Sequence, residues 1–131
     1  MKLLTEELRR MIPPLYSQEQ EADPLCQVKF FMPDGAFTWY VIEGSTREIT
    51  GCGFGVNCNY RPLAEYDPSR DDVLFFGYVR GLEAELGYFS LSELTAIRGM
   101  LRLPVERDRY FKPTRLSKVK ERMMSHPWPE E

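Results

Sequence analysis

Apolar and polar positions recur with two different periods along this chain, and the changes of period mark its elements. Leu4, Leu8, Met11 and Ile12 fall at i, i+4, i+7 and i+8, the stripe of one helical face. Thr5 is placed as the N-cap of that helix, and Pro13-Pro14 stops it. Residues 17–24 are polar and read as a loop. A strand is expected over residues 25–32, a turn at Pro33-Asp34-Gly35, and a second strand over 37–43, rich in aromatic and β-branched side chains. These two strands pair as a hairpin. Strands three and four are expected over 73–79 and 85–89, joined by a turn at 80–83. Ser90-Leu91-Ser92-Glu93 has the form of a capping box. It predicts a helix over 91–98 with Leu91, Leu94 and Ile97 facing inward and Gly99 as its C′ residue. An extended segment runs from Leu103-Pro104 to Phe111, and Ser117 is the expected cap of a last helix ending near Met124.

Together these elements predict an α+β domain: an antiparallel meander sheet of about four strands with short helices packed on one face. Residues 1–131 form a single domain on this reading. Residues 44–72 stand apart, with four Gly, two Pro, five Asp/Glu and weak apolar periodicity. They read as an insertion or extended loop, with room for a short strand near 48–50. The tail 125–131 is expected to fray.

Composition narrows the function by exclusion. Hydrophobic residues are 43% and charged residues 28%, an ordinary globular balance. No apolar run approaches the roughly 18–20 residues of a membrane span. The first residues are charged too early for a secretory signal. With three cysteines, an odd number, this points to a reducing cytoplasm. The net charge is −3, but it is uneven: residues 1–106 carry −6 and residues 107–131 carry +3.

The stretches MKLLTEELRRMIPPLYS, VKFFMPDGAFTWYV, FFGYVRGLEAELGYFSLSEL, IRG and LPVERDRYFKP, in this order, resemble the DUF2958 family. The resemblance covers roughly residues 1–45 and 73–120; residues 44–72 depart from the family pattern. The family comprises small uncharacterised proteins of bacteria and mobile genetic elements. The resemblance implies an accessory protein, in a genomic setting where antirestriction, anti-CRISPR and DNA-maintenance proteins are common, and it implies no reaction or cofactor.

Candidate chemistry is sparse. Cys52 and Cys58 have five residues between them, wider than structural zinc pairs, and only Cys26 and His126 are left to complete a set, so no metal site is expected. The single histidine, His126, lies in a Pro-rich tail, which argues against a Ser/His or Cys/His nucleophile. Ser90 and Ser92 are accounted for as helix-start residues. Glu85, Glu106 and Asp108 are the carboxylates that a metal-dependent enzyme would use, against an ion-pair reading in which Arg107 sits between Glu106 and Asp108.

Three functions follow as expectations. The first is a non-enzymatic, protein-binding accessory protein of a mobile element, plausibly an inhibitor of a host defence complex. It would act through Glu43, Glu48, Glu65, Asp67, Asp71 and Asp72, standing in for nucleic-acid phosphates, with Trp39 and Tyr40 on the sheet. The second is a nucleic-acid-binding module that uses an aromatic sheet face and the basic 107–122 stretch, through Arg109, Lys112, Arg115, Lys118 and Arg122. Its alternative is a solvated helix face. The third is the metal-dependent enzyme on Glu85, Glu106 and Asp108. A protein complex is the expected partner, nucleic acid the second, and neither a cofactor nor a membrane is expected.

Overall fold

The strand expected over residues 25–32 forms in two pieces, β1 (Leu25–Cys26) and β2 (Val28–Phe31). The computed structural model describes residues 2–49 and 59–125. β2 pairs with β3 (Thr38–Glu48), which pairs with β4 (Asp71–Arg80), which pairs with β5 (Ala84–Ser90), all antiparallel. A short strand, β6 (Glu106–Arg107), adds to the free side of β2. The sheet order is therefore β5-β4-β3-β2-β6, the expected meander with a fifth strand at one edge. β1 pairs separately with β7 (Thr114–Arg115) in a two-stranded ribbon. The α+β class holds.

Strand alternation divides the sheet into two faces. On the inner face Phe30, Val41, Val73, Phe75 and Phe89 form the main core with Leu91 and Leu94 of helix α2 (Leu91–Ala96). Leu3, Leu4 and Ile12, flanking helix α1 (Glu6–Met11), close it from the other side. Phe75 lies between Phe30 and Phe89, with ring centroids 5.9 and 5.5 Å away. The outer face carries a second cluster, Cys26, Tyr40, Ile42 and Tyr78, covered by Leu116 and Val119 of helix α3 (Leu116–Ser125). Helices thus pack on both faces, not on one: the outer face has too much aromatic and aliphatic surface to remain in water, and α3 covers it.

Two sequence expectations change for local reasons. β3 continues through residues 44–48, which pair with the start of β4, so the connecting loop begins after Glu48. The strand was illegible there because its buried residues are small or polar. The Ser45 hydroxyl accepts from the Leu15 N–H at 3.0 Å, and Thr46 donates to the Asp72 carbonyl at 2.8 Å. Gly44 packs against Phe75, Leu63 and Ile12, where an added Cβ would be crowded. The second change is at α2. Its capping box forms in full between Ser90 and Glu93, but the helix ends at Ala96 and Ile97 is extended. Gly99 is not its C′ residue; a side chain there would run into the Asp34 carboxylate.

Helix α3 is capped from far away. The Ser117 N–H and hydroxyl donate to the two oxygens of Asp23 at 2.8 and 2.6 Å. Ser117, expected as the cap, is instead held by one. The Gly/Cys loop with Cys52 and Cys58, His126 and the rest of the tail from 126 on lie outside the described residues. Among the described residues no helix is long and apolar enough to cross a membrane.

Candidate functional site

Register fixes what the outer face presents. Leu86, Tyr78, Tyr40 and Lys29 are successive partners across β5, β4, β3 and β2. The neighbouring row on that face is Ala84, Arg80, Thr38, Phe31 and Glu106. Lys29 points outward because its neighbours Val28 and Phe30 are committed to the inner core. Arg80, two residues after Tyr78, shares its face.

The segment after β6 then builds a wall over these rows. The Asp108 N–H donates to the Lys29 carbonyl at 2.9 Å, and the Asp108 carboxylate accepts from the Tyr110 N–H at 2.9 Å. This turn brings Phe111 onto Tyr40, with centroids 5.8 Å apart. The β1–β7 ribbon and the Leu116 N–H, which donates to the Pro24 carbonyl at 2.9 Å, set α3 down beside it.

The result is a cleft of about 490 Å³. Lys29, Arg80, Lys112 and Arg122 surround it, with Asp108 as its one carboxylate, and Tyr40 and Phe111 contribute to its floor. Tyr110 stands at the rim, 88% exposed. Lys29 lies 3.7 Å from the Asp108 carboxylate and 5.8 Å from the centre of the Tyr40 ring. Burial raises the Tyr40 phenol above its ordinary range, only partly offset by Arg80 and Arg122, so it stays a hydrogen-bond donor at neutral pH. A chain of net charge −3 therefore concentrates four cations around one aromatic-floored depression. That combination suits an anion carrying a flat ring, with phosphate on the cations and the ring on Phe111 and the exposed Tyr110.

The basic stretch is only partly the site. Lys112 and Arg122 reach the cleft; Arg109 lies on the side toward β6. Arg115 donates to the Asp23 carbonyl at 3.0 Å, and Lys118 is 3.7 Å from Glu121 at the surface. Lys29, Arg80 and Tyr110 were missed in the sequence. Lys29 and Arg80 had a signal: each is a cation on the outward register of an aromatic strand.

Two members of the acidic set, Glu43 and Asp71, are buried. Glu43 is 4% exposed, and its oxygens accept from the N–H groups of Tyr16 and Gln18 at 2.9 and 2.7 Å. Asp71 is 3% exposed and bound by Arg61, Arg70 and the Asp67 N–H. Burial acts to raise its carboxyl, but the hydrogen bonds from Arg61, Arg70 and the Asp67 amide outweigh it and hold the group at about 2. Asp72 accepts from Ser92 at the start of α2, Asp67 from Ser69, and Glu65 pairs with Arg61. Only Glu48 is exposed without such a role in fastening the fold. Trp39 and Tyr40 are buried on opposite faces.

The expected metal set also comes apart. Glu85 lies on β5 and Glu106 on β6, the two edges of the sheet, four strand spacings of about 4.8 Å apart. Asp108 is engaged with Lys29. Among the described residues no three metal-ligating side chains of the His/Cys/Asp/Glu type gather at one point. Cys26 is fully buried and its thiol is pushed up to about 12, chiefly by burial, so it stays protonated and unreactive.

The family model described as "protein of unknown function (DUF2958)" covers residues 62–123. That stretch supplies Arg80, the whole wall from Asp108 to Lys112, and Arg122 to the cleft; Lys29 and Tyr40 lie outside it. No curated protein and no solved structure matched the chain. Residues 62–123 thus match the DUF2958 family model and contain three of the stretches that carry the resemblance, FFGYVRGLEAELGYFSLSEL, IRG and LPVERDRYFKP.

Proposed function

We propose that this chain is a non-enzymatic binding module and that its basic cleft holds single-stranded nucleic acid. The observation that carries this reading is the gathering of Lys29, Arg80, Lys112 and Arg122, drawn from four separate parts of the chain, around Tyr40 and Phe111. Cations at the rim suit phosphates, while the floor and the exposed Tyr110 ring suit unstacked bases. A closed duplex hides its base faces, so the aromatic component favours a single strand. Arg80, Lys112 and Arg122 form no ion pair with a described carboxylate, which leaves them available for a ligand's charge.

The test is a titration with a short labelled thymidine oligomer at several salt concentrations. Binding that weakens with salt, with a log–log slope near −2 for about three engaged phosphates on a single strand, is the expected result. A flat titration at low salt rejects the reading.

The protein-binding reading survives in a different place from the one the sequence suggested. Of the residues that would mimic phosphates, Glu43 and Asp71 are buried, whereas a second groove on the outer face offers apolar and acidic surface to such a partner.

A further inference from the structure

β5 is an edge strand of seven residues, and no described strand pairs with its outer side. Natural edges of this length are usually blunted by lysine, proline or a bulge. β5 has no lysine, proline or bulge, and Glu85 is its one charged side chain; its sequence is AELGYFS, and its register against β4 runs unbroken from Ala84 to Ser90. Its outward-facing side chains, Leu86 and Tyr88, are 47% and 53% exposed. They continue into a groove of about 300 Å³ with Phe76, Ile42 and Leu116 at its base.

The far wall of this groove is held in place. Glu43 binds the N–H groups of Tyr16 and Gln18, Ser45 binds that of Leu15, and Tyr16 is kept at φ 70°. The groove is therefore a built feature whose shape does not depend on a ligand. Its charge is one-sided: Glu19, Glu21 and Glu43 line it and no cation does. Exposed Glu83 and Glu85 extend the same sign along the strand.

Gly87, in the middle of β5, is the independent observation. Its backbone is not in the left-handed region, and an added Cβ would meet nothing within 4 Å. Neither conformation nor packing within the described chain requires a glycine there. Glycine at such a position is characteristic of close approach by another backbone, and a bare edge glycine can be covered by a large side chain from the adjoining strand.

We propose that β5 receives an extended, cation-bearing peptide segment of a partner protein as a sixth strand. Its cationic side chains lay their aliphatic stems on Leu86 and Tyr88 and reach the carboxylates of the acidic groove, and its alternate apolar side chains lie over Gly87 on the other face. Main-chain hydrogen bonds supply affinity, and the two rows of side chains supply selectivity. A second copy of this chain is the poorer occupant. A two-fold pairing about Gly87 would match Leu86 with the other copy's Tyr88, but it would also bring two sets of Glu83 and Glu85 and two acidic grooves together.

The test uses the full chain and a blocked hexapeptide of alternating lysine and valine, read by fluorescence anisotropy and by backbone amide shifts. The expected result is saturable binding with shifts along β5 and the groove. Replacing the peptide lysines with glutamates should weaken it at least about 10-fold. N-methylation of alternate peptide residues should abolish binding in one register and spare it in the other, because only one set of N–H groups faces β5. Leu86→Lys with Tyr88→Lys, at exposed positions, should remove peptide binding and leave binding of the thymidine oligomer intact, which also reports that the variant is folded. The proposal is overturned by no peptide binding, by binding that ignores both N-methyl registers, by shifts confined to surfaces away from β5, or by self-association of the chain through β5.

Discussion

Two depressions share the outer face of one sheet and the same helix, yet they have opposite character. The first takes Val119 and Arg122 of α3 and gathers four cations with a single carboxylate. The second takes Leu116 of α3 and gathers three carboxylates with no cation. A difference this sharp over one short helix does not follow from composition, since the whole chain is only mildly acidic. It follows from which chain segments the topology lays on each side. The 108–114 segment and the outward registers of β2 and β4 border the basic cleft, while the polar loop at 16–24 and the edge strand β5 border the acidic groove. On the readings proposed above, one face would engage two ligands of opposite charge at separate places.

The largest effect that would break this comparison is loss of the basic cleft's charge. Arg80→Glu combined with Arg122→Glu should lower oligonucleotide affinity about 100-fold and flatten its salt dependence. Peptide binding at β5 should be unchanged. Equal loss in both titrations would mean that the two depressions are not separate sites. Tyr110→Ala comes next. The side chain is almost fully exposed, so its removal should spare the fold while weakening the oligomer about 10-fold through lost stacking. Because stacking is uncharged, the salt slope should stay the same; a changed slope would show that Tyr110 acts by positioning cations.

A third change tests the fold beneath both depressions. The Asp71 carboxyl is held at about 2, below the ordinary carboxylate value near 3.9, so its ionised form favours the folded state. That contribution is fully present above about pH 4 and is lost as the pH falls toward 2. Asp71→Asn should therefore unfold more readily than the parent at neutral pH, and the gap in thermal midpoint should close as the pH is lowered through that window. Both ligands should still bind the folded variant. The smallest effect is expected of Lys118→Glu, within about 2-fold for either ligand, since exposed pairs such as Lys118–Glu121 contribute little. A large loss there would return the nucleic-acid site to the outer surface of α3.

Local features were legible in the sequence. The Thr5 cap, the Ser90–Glu93 capping box and the two hairpins all depend on residues within a few positions of each other. What could not be read was long-range. β6 and β7 are two residues each, too short for a period, and exist because β2 and β1 offer them partners. β3 beyond Glu43 lacks alternation, since a bulge between Val41 and Glu43 and the buried Gly44, Ser45 and Thr46 erase the pattern. The candidate sites follow the same division. The 107–122 run announced itself by density, but only two of its cations reach the cleft; the others come from β2 and β4, where single charges among aromatics looked incidental.

The Asp23 cap makes helix α3 depend on a loop some 94 residues earlier. Residues 23–26 find their partners about 90 positions further on, because the cap and the β1–β7 ribbon are closed by 114–117. A product broken off before that point would keep most of the inner core and have no helix over the outer face. Under the proposed reading, both depressions therefore depend on residues 114–122 being in place.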